Sequence, residues 1–167
     1  MSAEKKPNGL RKHIVGMLVN DEPGVLAKIS GMFTRRNFNI DTIIVGKTNI
    51  PNVSHIVISL FGDDRTIEQL DKQLYKMIDI VKLADFSESN AVVREHCLLK
   101  VSSTEKSIEH LTNVCKLFEA RVLHVNTESV IVELASTPSK IDSLIETLAP
   151  FGIKELSRTG VNALQKD

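Results

Sequence analysis

One succession of patterns runs through this chain twice. In the first half the β-branched run His13–Val19 stops at Asn20-Asp21-Glu22-Pro23-Gly24, after which Val25, Leu26, Ile29, Met32 and Phe33 recur at helical spacing. Two strand-like runs follow, Ile40–Val45 and Val53–Leu60, and the turn-rich link between them makes them a hairpin. Ile67, Leu70, Leu74 and Met77 keep the helical period, and Ile78–Ala84 returns to strand. The second half repeats the order. It has a strand at Cys97–Val101, a helix carrying Ile108, Leu111, Cys115 and Phe118, and strands at Val122–Val125 and Val130–Leu134. A helix with Ile141, Leu144, Ile145 and Leu148 and a strand at Ile153–Ser157 close it. Between the halves, Ser87-Glu88-Ser89-Asn90 has no apolar residue.

The expected fold class is therefore α+β, two tandem ferredoxin-like β-α-β-β-α-β units. The expected boundaries are a flexible tail over 1–12, a first unit over 13–86, a linker over 87–91 and a second unit over 92–167. Such a unit packs both helices on one face of a four-stranded sheet and leaves the other face and an edge strand to be covered. With apolar residues on both sides of its strands, such as Ile43 and Ile44 or Val57 and Ile58, the chain is expected to pair with a second copy or a partner subunit.

Composition narrows the functions. The 21 Lys and Arg are balanced by 21 Asp and Glu, so no long-range positive field draws the chain to nucleic acid or anionic lipid. No run approaches the ~20 apolar residues of a membrane span, and the first residues have no apolar signal segment, so a cytoplasmic location is expected. Cys97 and Cys115 match no zinc or redox spacing and read as small buried hydrophobes.

Catalytic constellations fail one by one. His13, His55, His96, His110 and His124 make no metal-ligand spacing. Ser54 and His55 are strand neighbours and face opposite sides. Val45-Gly46-Lys47-Thr48 resembles the end of a phosphate-binding loop, but Asp41 stands where that loop needs its first glycine. Asp21-Glu22 and Asp63-Asp64 each precede a helix, where capping accounts for them, and Arg35-Arg36 suits a helix C-terminus. Asn37 suits a left-handed helix stop.

Asp21 to Gly24 offers more. A strand running through Asp-x-Pro-Gly into a helix leaves backbone N–H groups at the turn, and Gly24 admits a ligand close to the main chain. An amino acid would place its carboxylate on those amides and its ammonium on Asp21 or a carbonyl. Local chemistry alone fits a simple turn with Pro23 at the first helical position equally well.

The run LVNDEPGVLAKISGMFTRRNFNIDTIIVGKT, Leu18 to Thr48, resembles the opening of the small regulatory subunits of acetohydroxyacid synthase (acetolactate synthase), whose N-terminal half is an ACT domain. Ser54 to Ile58, LDKQLYKMIDIVKL, VREHCLLKV and the terminal Ser157-Arg158-Thr159-Gly160 through Leu164 continue the resemblance in order.

The resemblance implies that this chain is not the enzyme and holds no cofactor. A large catalytic subunit would carry thiamine diphosphate, Mg2+ and FAD, while this chain raises its activity and confers feedback inhibition by a branched-chain amino acid, usually valine. It also implies a homodimer through ACT domains with the effector between two chains. The site residues so implied are Asp21, Glu22, Pro23, Gly24, Val25 and Leu26 of the loop, with Asn39 and Ile40 at the start of the second strand. In this assignment the Gly24 and Val25 amides take the carboxylate, Asp21 the ammonium, and Leu26 with Ile40 the side chain. One departure is that many members have Asn where this chain has Asp21, its asparagine being displaced to Asn20. A free-standing ACT-type amino-acid sensor is the rival expectation.

Overall fold

The computed structural model describes residues 10–86 and 90–166. The first half builds β1 (Arg11–Asn20), α1 (Val25–Arg35), β2 (Ile40–Lys47), β3 (Val53–Gly62), α2 (Asp64–Leu74) and β4 (Ile80–Asp85). Its strands lie antiparallel in the order β2-β3-β1-β4. The second half builds β5 (Ala91–Ser102), α3 (Ile108–Phe118), β6 (Arg121–Val125), β7 (Ser129–Ser136), α4 (Pro138–Leu148) and β8 (Ile153–Arg158). Their order, β6-β7-β5-β8, is the same arrangement, and a last strand, β9 (Asn162–Gln165), pairs with β5. The expected α+β duplication of ferredoxin-like units is what the chain forms.

Each sheet is held by one apolar cluster. In the first, Val15, Met17 and Val19 of β1 and Ile56, Ile58 and Leu60 of β3 alternate onto the face where α1 lays Ile29 and Phe33 and α2 lays Leu70 and Leu74. Fully burying each of these side chains is worth about 1.5–3 kcal/mol. In the second, Cys97, Leu99 and Val101 meet Leu111, Cys115, Ile141 and Leu144 in the same way. Burial pushes the Cys97 and Cys115 thiols above their ordinary range, so both stay protonated and inert.

The two halves also end their first helices alike. At α1, Asn37 adopts a left-handed φ of 58°, the Phe38 N–H reaches the Phe33 carbonyl at 2.9 Å, and the Asn37 N–H reaches that of Thr34 at 3.1 Å. The two rings then meet edge to face at 6.0 Å. This is a Schellman cap with its apolar contact. At α3, Glu119 takes the left-handed position with φ 58°, and Ala120 and Glu119 donate to Cys115 and Lys116 at 2.8 and 3.1 Å.

Several boundaries differ from expectation. Residues 1–9 of the expected tail lie outside the described residues, but Arg11 and Lys12 are in β1, paired with Gly62 and Phe61, because β3 is long enough to extend the ladder. Of the expected linker, 87–89 lie outside the described residues, while Ala91, 6% exposed, already begins β5. The second unit does not keep the chain to its end. One compact unit runs through Val92 and takes back the segment from Val161, and the other is Val93–Gly160. In that segment Val161 and, within β9, Ala163 are both buried. Met77 follows α2 instead of belonging to it, since a turn from the Met77 N–H to the Leu74 carbonyl, 3.0 Å, closes the helix and tucks Met77 against the core.

Candidate functional site

The turn from β1 into α1 is fixed from three sides by backbone bonds. The Asn20 N–H donates to the Asp79 carbonyl and the Asp21 N–H to that of Asn52, both at 2.9 Å, and the Glu22 N–H closes back on Asn20 at 3.0 Å. Below it, Lys28 Nζ meets both Asp79 carboxylate oxygens at 3.0 and 3.1 Å, tying the first turns of α1 to the residue before β4. Asn52 and Asp79 were invisible as partners of this turn in the sequence, because each reaches it from a distant part of the chain and neither carries a local signature.

Gly24, not Pro23, is the N-cap of α1. Its φ of 90° and ψ of −8° are left-handed, which displaces Pro23 from the expected first helical position to the residue before the cap. No side chain caps this helix, so Asp21 and Glu22 do not serve as caps as expected. The Val25 N–H is engaged with the Glu22 carbonyl at 3.3 Å, and the helical ladder begins with the Lys28 N–H on the Gly24 carbonyl at 2.9 Å. Among the described residues, the donors left at the turn are therefore the amides of Gly24, Leu26 and Ala27, one step along from the expected Gly24 and Val25 pair. Asp21, Glu22, Pro23 and Gly24 are exposed, as is Leu26 at 45%, while the Val25 side chain is core at 3%.

Asn39 and Ile40 are not brought to this turn. Asn20 at the end of β1 pairs with Val53, whereas Ile40 at the start of β2 pairs with Leu60. Seven residues of β3 separate those pairs, roughly 23 Å at ~3.3 Å per residue. Ile40 packs partly buried on the core, and Asn39 is exposed.

The equivalent turn of the second unit is closed by its own hydroxyls. The Thr104 N–H donates to Ser107 Oγ at 2.8 Å and Ser107 Oγ donates to the Thr104 carbonyl at 3.1 Å. Ser103 Oγ donates to the Asn126 carbonyl at 3.0 Å. Among the described residues the amides of Glu109 and His110 are still left at the start of α3, so what sets the first turn apart is its left-handed glycine.

Elsewhere the acids and bases have structural work. Asp63 caps α2 by accepting from the Thr66 N–H at 2.7 Å, and these bonds to Thr66 hold its carboxyl below the usual range. Asp64 pairs with Arg11 at 2.6 Å. Among the described residues no group of three or more His, Cys, Asp or Glu is placed to hold a metal ion, and no helix is long and apolar enough to cross a membrane.

Two ferredoxin-like units, the first with a glycine-opened, amide-lined strand-to-helix turn, define an ACT-type regulatory architecture. Residues 15–82 match the model of the AHAS small subunit-like ACT domain, and residues 94–167 match that of the small subunit of acetolactate synthase. The chain is 40% identical over 155 residues to a probable acetolactate synthase small subunit of Methanothermobacter thermautotrophicus, covering 92% of each. It is 38% identical over 159 residues to the acetolactate synthase small subunit of Mycolicibacterium smegmatis, covering 95% of this chain and 94% of that one. The crystal structure of the Thermotoga maritima acetolactate synthase small subunit superposes with a TM-score of 0.85 at 36% identity, over 93% of this chain and 98% of that one. The chain belongs to the family of acetolactate synthase small subunits, the regulatory chains of that enzyme.

Proposed function

We propose that this chain binds a branched-chain amino acid, valine in the first instance, at the turn from Asp21 to Leu26, and passes its occupancy to a catalytic subunit that forms acetolactate. The observation that carries this reading is the uncapped left-handed opening of α1, which leaves the Gly24, Leu26 and Ala27 amides for a carboxylate beside the exposed acceptor Asp21. An ionised Asp21 accepts from ammonium but donates nothing to carboxylate, so carboxylate binding rests on the backbone. Leu26, exposed at the same turn, meets the branched side chain.

In this reading the site is completed by a second copy. Edge strand β2 has one unpaired side, and Ile43 and Val45 on it are exposed. Two β2 edges laid antiparallel about a two-fold axis bring the start of one β2, with Asn39 and Ile40, to the other copy's β1–α1 turn. The separation of those residues within one chain is what such a shared site requires. The chain itself is non-catalytic; thiamine diphosphate, Mg2+ and FAD belong to the catalytic subunit. Valine stabilises one packing of the paired units and the catalytic subunit favours another, a coupling of about 1–3 kcal/mol or ~5- to 150-fold in affinity.

The test is acetolactate formation by the cognate catalytic subunit, with and without this chain, across titrations of valine, leucine and isoleucine. The rate is expected to rise with the chain and fall with valine, and Asp21→Ala or Asn39→Ala to blunt the fall while sparing the rise. Activation with no inhibition by any of the three would remove the effector site from this reading; no effect on rate would leave a free-standing sensor.

A further inference from the structure

We infer that the C-terminal segment Val161–Lys166 is a strap seated on the open face of the first unit, and that its seat is mechanically continuous with the β1–α1 turn. The segment belongs to the first unit, with Val161 and Ala163 only 1% and 2% exposed. The Lys166 N–H donates to the Asn90 carbonyl at 2.8 Å. Leu164 and Gln165 line one side of an open pocket of about 140 Å³ shared with Gly16 and Leu18 of β1, His55 of β3, Lys82 of β4 and Phe86. The Phe86 ring abuts Gly16, where any Cβ would overlap it, and meets His55 edge to face at 6.2 Å.

The root of the strap is pinned by side chains. Arg158 donates to the buried Glu95 and, at 2.6 Å, to Asp142, and the Thr159 N–H donates to the His96 carbonyl at 3.0 Å. Burial by itself would depress Arg158, but the bonds to Asp142 and Glu95 outweigh it and hold the guanidinium charged. Gly160 then takes a left-handed φ of 85°, which redirects the chain into the strap. Beyond it the strap makes one four-residue strand that buries Ala163 and leaves Leu164 67% exposed.

Two strands join seat to turn. β1 carries Gly16 and Leu18 at the seat and ends in Asn20 at the turn; β4 carries Lys82 and Ala84 at the seat and follows Asp79, whose carbonyl and carboxylate hold Asn20 and Lys28. A change in either strand at one end is felt at the other, and by reciprocity occupancy of the turn alters the strap. The consequence for regulation rests on the effector site proposed above; the strap and its continuity with the turn do not.

Hydrogen exchange decides it, comparing the full chain with Ala163→Glu and with a chain ending at Gly160. Unseating the strap is expected to speed exchange about tenfold in peptides spanning 14–28 and 80–86 and to leave those of α3 and α4 unchanged. Faster exchange at the seat with none at 21–28 would overturn the continuity, and no change in Ala163→Glu would overturn the strap. The full-length variant keeps the test alive if the shortened chain does not fold. Calorimetric titration of the same proteins with valine separates the two readings: a full chain that binds none removes the effector site, while exchange still judges the strap.

Discussion

At Gly16 a hydrogen stands where every other residue would carry a carbon, and that absence seats the Phe86 ring on the sheet. Gly16→Ala is expected to expel the ring and destabilise the chain by about 1–3 kcal/mol. Phe86→Ala empties the same space at a cost of about 3 kcal/mol. The double variant should be less destabilised than the sum of the two, since the new methyl enters space the ring has left; urea unfolding of all four proteins measures the coupling. Beneath the ring, burial lowers the His55 pKa from its ordinary value of 6.5. The unfolded chain then takes up that proton first, so the stability His55 contributes is fully present above 6.5 and is lost as pH falls through the folded value. The melting temperature should therefore drop more steeply in the wild type than in His55→Gln between about pH 7.5 and 5.5. The sequence showed His55 only as a histidine without a metal spacing. Its partner is thirty-one residues away and its neighbour on the strand, Ser54, faces elsewhere, so nothing local marked it.

The elements were largely legible, and where they were not, a particular residue explains it. Alternation in β5 and the apolar stripes of the four helices follow from periodicity, because burial on one face imposes it. The stop at Asn37 was readable since asparagine tolerates the left-handed region. Its counterpart at Glu119 was not, because glutamate there is held by the same Schellman geometry against its own preference, with its side chain drawn to Lys140 at 2.7 Å. Glu119→Gly is accordingly expected to stabilise the second unit by up to about 1 kcal/mol, the exposed ion pair lost being worth less than the strain relieved. The helical period through Met77 overran α2 for a similar reason: Met77 is apolar and does pack on the core, but from a turn. At the β1–α1 turn, Pro23 and the acidic pair suggested a capped start, whereas the glycine ahead of Val25 took the cap position and left the amides open.

For the whole molecule, the duplication is nearly complete, and its exceptions are local. Both sheets share one strand order, and both break register at matching places, between Leu18 and Val19 and between Lys100 and Val101. Yet the first strand-to-helix turn opens on a left-handed glycine where the second opens on Ser107, and the first unit takes the end of the chain. The two-fold pairing proposed for β2 belongs to this scale. Sedimentation is expected to find a dimer that Val45→Glu shifts toward monomer by tenfold or more in Kd, roughly 1.4 kcal/mol, without changing the far-ultraviolet circular dichroism. An unchanged dimer would place the shared interface elsewhere.

By itself the sequence determined the element types, their duplicated order, the family and the turn at Asp21–Gly24. These depend on short-range periodicity, on residues with special backbone freedom and on motifs read in line. Only the tertiary structure decided that Asn39 and Ile40 stand at the far end of the sheet from that turn, that Asp79 and Asn52 hold it, and that the last residues return to the first unit. Those facts are set by strand register and by which apolar surface a distant segment covers. Neither is written in the spacing of neighbouring residues, because pairing across a sheet and burial against it are satisfied by whatever part of the chain arrives there.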